Sequence, residues 1–313
     1  LVQSAIEIPR LALVVVDEQH RFGVMQIASL REKGQRPHLL AMSATPIPRS
    51  LALTIYGDLD MSVLDEMPPG RQRIRTRWVE PGSRAAAYNF VGKEVADGRQ
   101  AFIVCPLIEE SEAIQARAAT EEYDRLSRDV FPELRLGLLH GRMPMREKGR
   151  VMAQFQKGEL DILVSTPVVE VGIDIPNATV MLVDGADRFG LAQIHQFRGR
   201  VGRGDHQSYC MLLAESPGED ARERLKTVER VDDGFELAEE DLRIRGPGDY
   251  LGTRQSGLPD LRVARITDQD ILSLARREAI RLLDIDPTLS EERNAALQGH
   301  FVQYASGLAS EMS

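Results

Sequence analysis

A series of short, unbroken apolar runs, each followed by a helix-length amphipathic stretch, constrains this chain more than any other feature. The runs are Leu11–Val16, Leu39–Met42, Arg73–Val79, Ala101–Leu107, Leu134–Leu139, Asp161–Ser165, Thr179–Val183 and Ser208–Leu213. Most are leucine-rich or β-branched throughout and do not alternate. That pattern predicts strands buried on both faces, hence a parallel sheet flanked by helices. Met145–Gln156 typifies the helices: Pro144 stands at its start, Val151, Met152 and Phe155 mark an inner face, and Gly158 ends it. The expected fold class is α/β.

The chain of 313 residues is long enough for about two domains. Met67-Pro68-Pro69-Gly70 breaks the pattern, because consecutive prolines continue neither a helix nor a central strand. The expected organisation is a partial sheet over residues 1–66, a linker at 67–70, and a complete domain over 71–215. A helical extension then covers 216–313, interrupted by the glycine-rich stretch Arg245–Gly257. With 42% hydrophobic and 28% charged residues, disordered and fibrous classes are excluded. A net charge of −9 argues against binding polyanions over the whole surface, so nucleic-acid contact must come from local basic grooves. No apolar run approaches the ~18 residues of a membrane span, and no membrane association is expected. Cys105 and Cys210 lie in apolar runs and read as buried thiols of a reducing compartment. The chain opens at Leu1 in mid-pattern, as a piece of something longer would.

Asp17-Glu18-Gln19-His20 follows LALVVV directly. A carboxylate pair at the C-terminal end of a buried parallel strand faces the crevice where α/β proteins bind ligands. The first acid suits Mg²⁺ held through water, and the second suits an attacking water. The structural alternative is an acidic helix start. Ser43-Ala44-Thr45-Pro46 follows the next run, where its two hydroxyls are placed to sense a neighbouring nucleotide site or simply to form a turn. In Gln196-Phe197-Arg198-Gly199-Arg200-Val201-Gly202-Arg203, Arg200 and Arg203 are expected on one face of a helix or helix-like turn, as guanidiniums for a γ-phosphate. His140-Gly141-Arg142 is a strand-end loop whose amides and Arg142 suit a phosphate; for His140 a structural role stands equally open.

Taken together, the DEQH, SATP and QFRGRVGR strings resemble motifs of superfamily 2 helicases. The longer blocks DEQHRFGV, SATPIPRSLALTIYGDLD, RFGLAQIHQFRGRVGRG and GFELAEEDLRIRGPGDYLGTRQSG resemble the RecG family of bacterial ATP-dependent helicases that remodel branched DNA. The transcription-repair coupling factor shares several of these blocks. Gln19-His20, Tyr56–Asp60 and the pair RGPG and GTRQ favour RecG.

The resemblance implies two RecA-like motor domains with ATP and Mg²⁺ between them. Residues 71–215 would form the second and 1–66 part of the first. Asp17, Glu18, Arg200 and Arg203 would be catalytic, with Asp17 toward Mg²⁺. His20, Ser43, Thr45, Asp174 and Gln196 would line or sense the ATP site. Ser165–Asp174 resembles the fifth helicase motif, so Thr166 and Gly172, with Gly141 and Arg142, would contact the DNA backbone. A helical hairpin with Arg224, Arg245 and Gln255 would couple hydrolysis to movement on duplex DNA. The implied partners are branched DNA, namely replication forks and Holliday junctions, with single-strand-binding protein as a further one, in the bacterial cytoplasm. The string Gly-x-x-x-x-Gly-Lys-Ser/Thr, which cradles phosphates in such motors, does not occur in the sequence. The chain is therefore expected to be ATPase-inactive by itself, with residues 1–66 its least stable part. Two other classes remain: a non-enzymatic DNA-binding module using Arg71, Arg73, Arg75, Arg77 and Arg84, and an interaction platform using the acidic helices of 215–241.

Overall fold

The computed structural model describes residues 6, 8, 10–19, 26, 29–30, 32–34, 37–44, 60, 62–64, 66, 71–106, 112–167, 174–245 and 268–302. By contacts, residues 1–46 and 65–241 form one unit, and 47–64 with 242–313 form a second.

All eight expected strands are present in the first unit. β1 (Leu13–Val16) and β2 (His38–Ala41) pair in parallel as a two-stranded sheet. β3 (Arg75–Val79), β4 (Gln100–Val104), β5 (Leu136–Leu139), β6 (Ile162–Ser165), β7 (Ala178–Val183) and β8 (Tyr209–Leu213) form an all-parallel sheet in the order β3-β8-β7-β4-β6-β5. β4, β6 and β7 are buried at every position, as continuous apolar runs require, whereas the edge strand β3 is not. The parallel pairing and the flanking helices are those of a RecA-like motor domain.

Helices among the described residues include α1 (Arg84–Ala96), α2 (Glu112–Arg125), α3 (Met145–Gln156), α4 (Leu191–Arg198), α5 (Glu219–Arg230) and α6 (Gly234–Arg245), the last running four residues past the end of this unit. On one sheet face, Ala87, Tyr88, Val91 and Val95 of α1 and Ala119 of α2 pack with Ile103, Val164 and Leu182. On the other, Phe102 of β4 meets Phe155 of α3 edge-on, ring centroids 5.0 Å apart. Val151 and Phe155 are buried as the inner face of α3, and Gly158 ends it with φ +72°. Cys105 and Cys210 are buried free thiols.

β1 and β2 differ from the strands of the larger sheet in how they are buried. They are covered on one face only: Val14 and Val16 pack with Leu30, while Leu13, Val15 and Leu40 are about half exposed. Among the described residues this two-stranded sheet has one small cluster beneath it and no cover on its other face, although its sequence looks like that of a doubly covered strand.

The second unit contains α7 (Gln269–Ile285) and the turn after it. There the Asp286 carboxylate accepts hydrogen bonds from the backbone N–H groups of Ser290 and Glu291 and from Asn294 Nδ2, at 2.8–2.9 Å. No helix among the described residues is long and apolar enough to cross a membrane.

Candidate functional site

The turns after β1 and β2 are tied together by Gln19 N–H donating to the Met42 carbonyl at 3.0 Å. Asp17 Oδ1 accepts the Glu18 N–H at 2.9 Å, and Glu18 adopts φ +51°, rare for a residue with a side chain. This conformation brings Glu18, together with Ala44, into the wall of a cleft of about 310 Å³. The rest of its lining consists of the segment entering β3 (Arg71, Gln72, Arg73, Ile74), the end of α4 with the turn beyond it (His195, Gln196, Arg198, Gly199, Arg200, Arg203), and Asp232. Residues separated by some 180 positions in sequence thus share one cavity of the size that holds small ligands.

Arg200 and Arg203 lie beyond the last helical residue, Arg198, rather than on a helix face. Arg203 Nε donates to the Gly199 carbonyl at 3.2 Å, and its Nη1 lies 3.6 Å from Asp174. The turn that aims both arginines depends on Gly202, whose φ is +76° and where a Cβ would sit 2.8 Å from Ile74 Cγ1.

Arg198 turns inward. It is 4% exposed and donates to the carbonyls of Val231 (2.8 Å) and Asp232 (2.7 Å), to Asp232 Oδ1 (3.4 Å) and toward His195 Nδ1 (2.9 Å). Because guanidinium only donates, His195 Nδ1 must accept, which leaves its proton on Nε2. Burial, reinforced by the Arg198 charge, brings the His195 imidazole down to about 4, so it is neutral at pH 7. Asp232 also pairs with Arg73. One carboxylate thereby joins the segment entering β3, the end of α4 and the α5–α6 corner.

A second polar cluster stands at the ends of β5 and β6. Thr166 N–H donates to the Leu139 carbonyl, and Lys148 Nζ donates to the Gly141 carbonyl at 2.5 Å. Ser165 Oγ, Thr166 Oγ1 and His140 Nδ1 are buried and make no hydrogen bond in the structure, which makes this loop receptive to a polar ligand. Burial, with Lys148 next in weight, lowers the pKa of His140. Arg142 is exposed beside this cluster.

The remaining expected residues are dispersed. Ser43 is exposed near Ala44. Arg224, on α5, donates from Nη2 to the Asp187 carbonyl at 2.9 Å. Arg245 is the last residue of α6, and its side chain is outside the described residues. His20, Thr45, Gly172 and Gln255 also lie outside the described residues, as do Pro46, 67–70 and Gly246–Gly248. Sequence reasoning did not single out His195, Arg198 and Asp232 as a cleft-side cluster, nor Lys148. Among the described residues no cluster of three or more His, Cys, Asp or Glu side chains is suited to hold a metal alone. A lone Asp17 fits Mg²⁺ only where phosphate oxygens and water complete the shell, the usual arrangement for that ion.

Fold and cleft together define a helicase-type motor domain. Residues 84–205 match the helicase conserved C-terminal domain family, and residues 231–306 match the family described as ATP-dependent DNA helicase RecG, domain 3, C-terminal. The chain is 53% identical over 290 residues to the ATP-dependent DNA helicase RecG of Synechocystis sp., covering 92% of this chain and 35% of the relative. It is 48% identical over 305 residues to that of Bacillus subtilis, covering 97% and 45%. A solved structure of RecG bound to a three-way DNA junction superposes with a TM-score of 0.66 at 47% identity, covering 88% of this chain and 35% of that one. The chain belongs to the RecG family. It spans less than half the length of the curated relatives it matches.

Proposed function

We propose that this chain supplies part of an ATP-driven motor that moves on branched duplex DNA, and that the cleft between Glu18 and Arg200 is its nucleotide site. One observation carries this reading: acidic and guanidinium groups from distant parts of the chain line a single cavity. The RecG structure on a three-way junction supports branched DNA as the substrate class.

In this reading Arg200 and Arg203 bind the terminal phosphate oxygens, and their charge is independent of pH. Glu18 orients and accepts the proton of the attacking water, and Asp17 holds Mg²⁺ through water. Mg²⁺, when bound with the nucleotide, supplies charge neutralisation on the phosphates. Ser43, Thr45, His20, Asp174 and Gln196 sense the occupancy of the site. Gly141, Arg142, Thr166 and Gly172 hold the DNA backbone. Arg224, Arg245 and Gln255 belong to the element that turns cleft closure into movement, with fork regression and branch migration as the work done. Single-strand-binding protein is a further partner in this reading, and the bacterial cytoplasm its place.

Calorimetric titration of the chain with Mg·ATP tests the cleft. Arg200→Ala and Arg203→Ala should each weaken binding about tenfold, the loss of one charge-assisted contact. Unchanged affinity in both variants would remove the nucleotide reading. Binding of a three-way junction in preference to a linear duplex, with a salt slope of roughly one unit per phosphate contact, tests the DNA side.

A further inference from the structure

The cleft contains more positive charge than its known parts require. Five guanidiniums line it (Arg71, Arg73, Arg198, Arg200 and Arg203) against the two carboxylates of Glu18 and Asp232. Asp232 serves Arg73 and Arg198. Arg203 leans on the Gly199 carbonyl and Asp174, and Arg200 has contacts of its own. Among the described residues, Arg71 is the one cleft arginine with neither a hydrogen bond nor an ion pair.

Its backbone, by contrast, leads into a firmly held segment. Gln72 Nε2 donates to the Asp205 carbonyl at 2.9 Å, and Arg73 pairs with Asp232. The Arg73 carbonyl accepts from Gln207 Nε2 at 2.8 Å, and Arg75 N–H donates to the Ser208 carbonyl at 2.9 Å. A pinned backbone carrying an unpartnered guanidinium into a cavity is the arrangement of a preorganised anion ligand. Arg71 lines the cavity together with His195 and Arg200, and its charge is the smallest of the contributions that lower the His195 pKa.

We infer that Arg71 is a third phosphate-binding guanidinium of the cleft, which takes the polyphosphate tail of a nucleoside triphosphate together with Arg200 and Arg203. The inference rests on the nucleotide reading given above. A multiply charged anion suits three clustered cations facing a single Glu18, and the planar fork of arginine matches pairs of phosphate oxygens. Arg75 and Arg77 lie further along the same segment on β3, outside the cleft, and provide an internal control for charge alone.

Isothermal titration of the 313-residue chain with inorganic tripolyphosphate at low salt tests this. Arg71→Ala should weaken binding about tenfold and Arg71→Lys by less, since a point charge replaces the fork. Arg77→Ala should change it less than about twofold, because an exposed charge outside the cleft is screened. Each variant should keep the unfolding midpoint of the parent, because Arg71 is exposed and makes no contact. If Arg200→Ala weakens binding and Arg71→Ala does not, Arg71 is no ligand, while the nucleotide reading survives. An equal loss in Arg71→Ala and Arg77→Ala reduces the effect to net charge and overturns the inference. If the parent chain does not bind the probe at all, both readings fall.

Discussion

Arg198 and Asp232 meet with the guanidinium 2.7 Å from the Asp232 main-chain carbonyl, within 3.4 Å of its carboxylate, and almost wholly out of water. The arginine closes the end of α4, and the aspartate opens the corner between α5 and α6. Because Arg198 also takes up the Val231 carbonyl, it satisfies acceptors at the buried C-terminal end of α5 that no helical N–H reaches.

Removing this arginine should therefore cost more than a surface ion pair would. Arg198→Met leaves buried carbonyls without donors and is expected to destabilise the first unit by about 3–5 kcal/mol. Urea unfolding should show a lower midpoint with an unchanged slope. Arg198→Lys should recover only part of the loss, since one ammonium cannot span His195, Val231 and Asp232.

Two glycines should respond in opposite directions. At Gly202, φ is +76° and an added Cβ would press on Ile74, so Gly202→Ala should destabilise by about 1–3 kcal/mol. Gly149 lies inside α3 with open space around it, and Gly149→Ala should stabilise by about 0.5–1 kcal/mol. Thermal unfolding of the two variants against the parent checks both signs.

Acid should loosen the turn after α7. The Asn294 side chain and the Glu291 and Ser290 N–H groups bring the Asp286 carboxyl down to about 2, below its ordinary value near 3.8. A depressed carboxyl contributes its stability above the ordinary value and loses it as pH falls through the folded one. Protection of the Ser290 and Glu291 amides, measured relative to the intrinsic exchange rate at each pH, should thus hold steady above pH 4 and fall between pH 4 and 2. Asp286→Asn should abolish that dependence.

Hydrogen exchange should also separate the two sheets. β4 and β7 are buried along their whole length, whereas among the described residues β1 and β2 rest on a small cluster of Val14, Val16 and Leu30 with partly buried Leu11 and Leu39. Amides of β1 and β2 are expected to exchange through local opening well before those of β4 and β7. Equal protection in both sheets would contradict this.

The strands were legible because a strand covered on both faces leaves little choice of residue: ATVMLV over β7 and ILVS over β6 admit few other readings. The one-sided burial of β1 does not follow from LVVV itself, which reads the same whether one face or both are covered; it follows from the presence of only two strand-like runs before the Pro68-Pro69 break. At the site, the RxxR spacing made Arg200 and Arg203 stand out as charged and placed for a phosphate. It held no sign that Arg198, two residues earlier, points into the protein, since direction depends on where a helix ends and what packs there. No local spacing announces the partners of Asp232. It serves Arg73 and Arg198, the first of them well over a hundred residues away in sequence. Lys148 was hidden for a similar reason: only the folded loop brings its amine to the Gly141 carbonyl.

The neighbouring placement of β3 and β8 has a mechanical result. The chain enters the six-stranded sheet at Arg75 and leaves it at Leu213, at opposite ends of two adjacent parallel strands paired from Arg75↔Tyr209 to Val79↔Leu213. Pulling those two ends apart shears the ladder lengthwise, so every rung resists at once instead of opening one after another like a zipper. Such a sheet transmits tension along its edge without fraying.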